Sequence, residues 1–176
     1  MKAKPADYGK TLRVNRSAKH GRGVYATAPI PRAAKVIEYV GKLVPVKDSD
    51  GIAEKQMTRA GKSGTGHVYL FTLNKRYDID GNVPWNKARL INHSCDPNVF
   101  FDTTKMEVVC LKHIQPGEEF RFFYPSTEWE MSQPFVCNCG SSNCLQLISG
   151  AAQLSDDTLA KYRLSDFIAK QVQHRL

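Results

Sequence analysis

Read as a pattern of apolar and polar positions, the chain is a series of short strands broken by glycine and proline. "TLRVNRS" (11–17) alternates polar and apolar residues, and "KHGRGVYATAPIPR" (19–32) reads as a turn region punctuated by Gly and Pro. "AKVIEYVGKLV" (34–44) is rich in Val, Ile and Tyr and predicts a strand pair, or a strand and its bend. Residues 46–66 are polar, with a short helix expected over "AEKQMTRAG" (53–61) and a flexible loop over "GKSGTG" (61–66). "HVYLFTL" (67–73) predicts a strong strand and "YDIDGN" (77–82) a strand running into a turn. "KMEVVCLKHI" (105–114) and "EEFRFFY" (118–124) predict strands on either side of the turn signal "QPGE". The spacing of βαβ units is missing, which argues against a doubly wound sheet. The pattern then changes. "SDDTLAKY" (155–162) and "SDFIAKQVQHRL" (165–176) each open on Ser-Asp, a helix N-cap with acid in the first turn. In the second, Ile168, Val172 and Leu176 recur every four residues beside Phe167, the stripe of a helix docked on the body.

Composition narrows the class. The chain has 176 residues, 41% of them hydrophobic and 10% aromatic, enough for a real core in one domain with a short appendage. No stretch reaches the length of a membrane span. "MKAKPADYGK" lacks the apolar region of a secretory signal, so a reducing, intracellular compartment is expected, nucleus or cytoplasm, with no membrane partner. The net charge of +8 comes from scattered Lys and Arg and reads first as a solvated basic surface, leaving room for a weak nucleic-acid or chromatin contact.

The cysteines change the picture most. Cys137, Cys139 and Cys144 crowd into "CNCGSSNC", and Cys95 closes "NHSC" (92–95) about forty residues earlier. Three free thiols so close together are oxidation liabilities, so metal ligation is the preferred reading. A tetrahedral structural zinc wants four ligands. Cys110 sits in the apolar run "EVVCLKHI" and reads as core, which leaves Cys95 as the candidate fourth ligand. The metal would then clip the C-terminal segment onto the "NHSC" loop.

Five pieces in order, "GRGVYA" (21–26), "EYVGKLV" (38–44), "ARLINHSCDPN" (88–98), "PGEEFRFFY" (116–124) and "CNCGSSNC" (137–144), resemble the SET-domain protein lysine methyltransferases with a post-SET zinc segment, over about residues 10–150. The resemblance implies a mainly β fold with short helices, a β-clip of small curled sheets with a knot-like C-terminal crossing, followed here by a helical tail. It implies a division into an N-terminal extension (1–10), a SET catalytic domain (11–125), a post-SET zinc segment (126–150) and the tail (151–176). It implies methyl transfer from S-adenosylmethionine to a lysine side-chain amine of a protein or peptide, histone or non-histone, by an enzyme expected to be a monomer, with one structural zinc on Cys95, Cys137, Cys139 and Cys144.

Position by position, Arg22, Gly23 and Val24 match the loop that wraps the cofactor. Asn92 and His93 match the pair that binds it, and Leu145 the residue packed near the adenine. Tyr124 matches the tyrosine beside the transferring methyl. Tyr69 matches an aromatic lining the lysine channel, with a plain strand tyrosine as the competing reading. Phe122 matches the pocket position two residues before the tyrosine. A phenylalanine there implies progress beyond monomethylation, to di- or trimethyllysine. Three positions depart from the family pattern: Arg121 replaces a threonine, Phe123 an aspartate, and Gln146 a frequent glycine. Phe123 lends weight to a second hypothesis, an inactive SET-like module that binds peptide or cofactor without turnover. "DSDG" (48–51) and "EEF" (118–120) are weak candidates for an acidic rim facing a basic substrate.

Overall fold

A computed structural model describes residues 11–63, 68–73, 76–131 and 133–175. The expected extension over 1–10, residues 64–66 of the expected loop, His67 of "HVYLFTL" and Leu176 of the C-terminal stripe lie outside them. The architecture is small β-sheets with few helices, as expected for a SET-domain fold. It divides into two compact units, one formed by residues 38–89 and the other by the flanking segments.

The flanking segments form the larger unit. Strands β1 (Leu12–Arg16) and β2 (Arg22–Ala26) pair as an antiparallel hairpin, with Leu12 opposite Ala26 and Arg16 opposite Arg22. The stretch 19–32, expected as turn, thus contains a strand. Gly21, at φ +50°, makes the tight reversal, a conformation that side chains resist. Strands β3 (Lys35–Glu38), β8 (Val99–Asp102) and β9 (Glu107–Cys110) form a sheet in the order β3-β9-β8. Val99, Phe101, Val108 and Cys110 are buried in it, and Ile114 and Phe120 are wholly enclosed. The remaining strands are two residues each. β7 (Asn92–His93) lies parallel to β10 (Arg121–Phe122), and β11 (Phe135–Val136) pairs antiparallel with β12 (Leu147–Ile148).

The tail folds as its caps demand. Ser155 accepts a hydrogen bond from the Thr158 amide to open α2 (Asp156–Leu159), and Ser165 accepts one from the Ile168 amide to open α3 (Asp166–Gln173). Ile168 is fully buried and Val172 packs beside it, while Phe167 is exposed, so the stripe is the docked face. The Arg175 guanidinium closes the tail, bonding the carbonyls of Ala151 and Leu154 and lying 4.5 Å over the Trp129 ring.

In the unit of residues 38–89, strands β4 (Lys42–Pro45), β5 (Leu70–Thr72) and β6 (Tyr77–Asp80) form an antiparallel sheet in the order β4-β6-β5. Strands β3 and β4 therefore do not pair with each other, as one reading of 34–44 had them. Helix α1 runs over Val46–Ser63, 18 residues, far longer than the helix expected over 53–61, and it takes in the first part of the expected loop. The reason is chemical. Its buried positions over residues 46–58 are polar: Ser49 bonds the Asp78 carboxylate, and Gln56 donates to Asp80 (2.9 Å) and accepts from the Tyr69 amide (2.8 Å). A helix seated by hydrogen bonds shows no apolar stripe to read. No helix among the described residues is long and apolar enough to cross a membrane.

Candidate functional site

The parallel pair β7/β10 brings the "NHSC" loop against "RFFY". Asn92 lies opposite Arg121 and His93 opposite Phe122. The Ser94 amide donates to the Phe122 carbonyl and the Asn98 amide to that of Arg121, both at 3.0 Å. Asn98 completes the clamp with its side chain, donating to Glu119 O and accepting from the Arg121 amide, each at 2.8 Å.

Asn92 is a buried tie. Its amide nitrogen faces Glu119 Oε1 (2.7 Å), Arg22 O (3.0 Å) and His20 O (3.2 Å), holding the β1–β2 turn against β7. Glu119 answers from the other side, its Oε2 accepting from Ser17 Oγ (3.0 Å) and Tyr25 Oη (3.3 Å). Glu119 is thus engaged by three donors, while Glu118 beside it is exposed. A Cβ on Gly23 would collide with this carboxylate, so the glycine makes room for Glu119. Val24 is fully buried and Arg22 is exposed.

His93 is enclosed by Phe123, Tyr124 and Phe135, with ring centroids 5.2–5.8 Å away. Burial lowers its pKa to about 4, so the ring is neutral. Nδ1 accepts from the Tyr124 amide (3.2 Å), which leaves the proton on Nε2, pointed at Cys95 Sγ (3.4 Å). The Tyr124 hydroxyl donates to Ile91 O (3.2 Å), and its half-buried ring lies 4.7 Å from that of Phe122 and 6.0 Å from Phe135.

The four cysteines named from their spacing converge: the sulfurs of Cys95, Cys137, Cys139 and Cys144 all lie within 4.8 Å of one another. Tetrahedral zinc with sulfur at about 2.3 Å spaces its ligands by about 3.8 Å, so the donor set fits after a small contraction. The Leu145 amide points at Cys95 Sγ (3.4 Å), and Ser141 Oγ lies 2.9 Å from Cys139 Sγ. Such hydrogen bonds orient and tune thiolate ligands. Cys110 stands apart in β9, and burial pushes its thiol up to about 11. Tyr124 and Leu145 pack directly against the cysteine cluster.

Two departures from the family pattern have local explanations. Gln146 has φ +66°, the left-handed region in which glycine is at ease, and its carbonyl accepts from the Cys137 amide at 2.6 Å. Phe123 is buried, and the tail's Tyr162 ring stacks flat on it, centroids 3.7 Å apart and planes 8° from parallel. Tyr162 also donates to Cys95 O (2.8 Å). Tyr69 belongs to the unit of residues 38–89. There the Arg89 guanidinium lies 5.3 Å over its ring, and its carbonyl accepts from Gly81 N and Tyr39 Oη. Glu119, Asn98 and Tyr162 were missed as site residues. All three lie inside the quoted stretches "PGEEFRFFY", "ARLINHSCDPN" and "SDDTLAKY", but none carries a local signal of its contacts.

Comparison with known proteins agrees with this arrangement. The SET domain family model matches residues 21–125. The chain is 46% identical to "Methyltransferase flvH" of Aspergillus flavus over 79 residues, 44% of each protein. It is 34% identical over 142 residues, 77% of this chain and 11% of the relative, to the "Histone-lysine N-methyltransferase, H3 lysine-4 specific" of Emericella nidulans. With the "H3 lysine-36 specific" enzyme of the same organism it shares 29% over 165 residues, 87% of this chain and 16% of that one. The chain spans less than half the length of each of these relatives.

Proposed function

Because the chain belongs to the SET domain family, we propose that it transfers a methyl group from S-adenosylmethionine to the side-chain amine of a lysine in a protein. The observation that carries this reading is the joining of the "NHSC" loop to "RFFY" through β7/β10, with Tyr124 held at both its amide and its hydroxyl. The names of the relatives, two of them histone-lysine N-methyltransferases, support a histone lysine as substrate and nuclear action. Non-histone proteins and the cytoplasm remain within the proposal, since a net charge of +8 brings no general attraction to basic tails.

S-adenosylmethionine supplies an electrophilic methyl on a sulfonium. Arg22, Gly23 and Val24 wrap it, Asn92 and His93 bind it, and Leu145 packs near its adenine. Because the Asn92 amide nitrogen is engaged with His20, Arg22 and Glu119, its share falls to backbone and amide oxygen. The rings of Phe122 and Tyr124 receive the lysine. A lysine amine has a pKa near 10.4 and must shed its proton to attack. An apolar aromatic wall disfavours the charged form. Tyr124, held by His93 and Ile91, aims the amine, and such positioning supplies much of the rate. Phe122 has no hydroxyl to restrain a methylated nitrogen, so the reaction proceeds to di- or trimethyllysine.

Cys95, Cys137, Cys139 and Cys144 hold one structural zinc, which fastens segment 126–150 to the "NHSC" loop. The same reading keeps the division into SET domain (11–125), zinc segment (126–150) and tail (151–176).

The test is a methyl-transfer assay with radiolabelled cofactor against histones, ribosomal proteins and cell lysate. Transfer to lysine by the wild type, reduced by orders of magnitude in Tyr124→Phe with cofactor binding intact, supports the reading. Cofactor binding without transfer to any protein supports the inactive module instead.

A further inference from the structure

We propose that Tyr162, in the C-terminal tail, is a positioning residue for Tyr124, acting through a flat stack on Phe123 that takes the place of the acid the family pattern has at that position. The inference rests on the reading of Tyr124 as the residue beside the reacting amine.

The observations form a closed ring of contacts. The Tyr162 hydroxyl donates to Cys95 O (2.8 Å), and Cys95 Sγ faces His93 Nε2 (3.4 Å). His93 Nδ1 receives the Tyr124 amide (3.2 Å). Tyr124 follows Phe123 in the chain, and the Phe123 ring lies against Tyr162. Consecutive residues are therefore gripped by two different clusters. Tyr124 packs into the cysteine cluster, whereas Phe123 joins Ala151, Leu159 and Ile168 in the buried core of the tail. The peptide between them has little freedom to turn while both rings are held.

The hydroxyl and the ring of Tyr162 do separable work. Cys95 O has a second donor, Asn143 Nδ2 at 2.8 Å, so loss of the hydroxyl leaves the loop bonded. The stack has no such substitute, because a centroid distance of 3.7 Å at 8° is the full face of one ring on the other. An aspartate at position 123 would leave the Tyr162 face uncovered and place a carboxylate in an apolar enclosure. Phe123 and Tyr162 thus form a matched pair, through which the tail positions Tyr124.

The experiment uses the full chain with 13C-labelled tyrosine, the Tyr124 ring signals being identified by their loss in Tyr124→Phe. Zinc content, melting temperature and steady-state kinetics are measured on the same samples. In Tyr162→Leu the Tyr124 ring signals are expected to shift and broaden. Turnover per folded, zinc-loaded chain should fall by about tenfold or more, as small misplacements of reacting groups do, while KM for S-adenosylmethionine and zinc stoichiometry stay near wild type. Tyr162→Phe should keep the Tyr124 signals, with turnover within about threefold of wild type. Should Tyr162→Leu fail to fold, Tyr162→Met, which fills the space without a flat face, is held to the same criteria. The proposal is overturned if the Tyr124 signals do not move in the Leu variant, if its lost turnover matches an equal loss of zinc or folded protein, or if Tyr162→Phe loses as much as Tyr162→Leu. The ring signals report even if the wild type transfers no methyl, so failure of the methyltransferase reading is told apart from failure of this one.

Discussion

Glu119→Ala is the most informative single change, because one carboxylate joins three parts of the site. It removes the acceptor for Asn92 Nδ2 at 2.7 Å, Ser17 Oγ at 3.0 Å and Tyr25 Oη at 3.3 Å. A hydrogen bond to a charged group contributes about 1.5–3 kcal/mol. The three do not add, since the site is half-buried and the two hydroxyls can turn to water. Asn92 also keeps the carbonyls of His20 and Arg22. One well-formed bond and a fraction of the others gives about 2–3 kcal/mol. For a chain of this size that lowers the melting temperature by about 4–12 °C. Glu119→Gln should fall between. Its amide oxygen can serve Asn92 while its NH2 faces hydroxyls that rotate to accept, a loss of about 1 kcal/mol. The functional consequence is in binding: with the β1–β2 turn no longer tied to Asn92, KM for S-adenosylmethionine should rise several-fold in Glu119→Ala, more than turnover falls. Thermal denaturation and cofactor titration by calorimetry measure both. The reasoning is refuted if Glu119→Ala melts within a degree or so of wild type, or if its cofactor affinity is unchanged.

Metal analysis should find about one zinc per chain, lost in Cys95→Ala and kept in Cys110→Ala; full occupancy in Cys95→Ala excludes it as a ligand. Removing the metal with a chelator should weaken cofactor binding before it unfolds the body, because the segment it fastens folds with the metal. Gln146→Gly should raise stability by about 1 kcal/mol, relieving a side chain held at φ +66°, and a melting temperature unchanged or lowered would count against strain there. Phe122→Tyr should shift the product toward monomethyllysine with the first transfer largely preserved, read by mass spectrometry of a product peptide, and a wild type that stops at one methyl contradicts the reading of Phe122.

The sequence by itself determined what local spacing can carry. The run "CNCGSSNC" together with Cys95 named four sulfurs that do converge, and Ser155 and Ser165 announced helices they do cap. Ordered motifs identified the SET family and hence a mainly β fold. What tertiary structure decided are contacts whose partners lie far apart in the chain and carry no periodic signal. Ser17 meets Glu119 across 102 residues and Tyr162 meets Cys95 across 67. Helix α1 escaped its pattern because the positions it buries, Ser49 and Gln56, are polar and satisfied by carboxylates and a strand amide. Phe123 reads in the sequence as the loss of an acid, whereas in the fold it is the face on which Tyr162 stacks. Periodicity reports which residues leave water, but a buried hydrogen bond or a ring stack is fixed only when two distant segments close on each other, and that closure belongs to the whole fold.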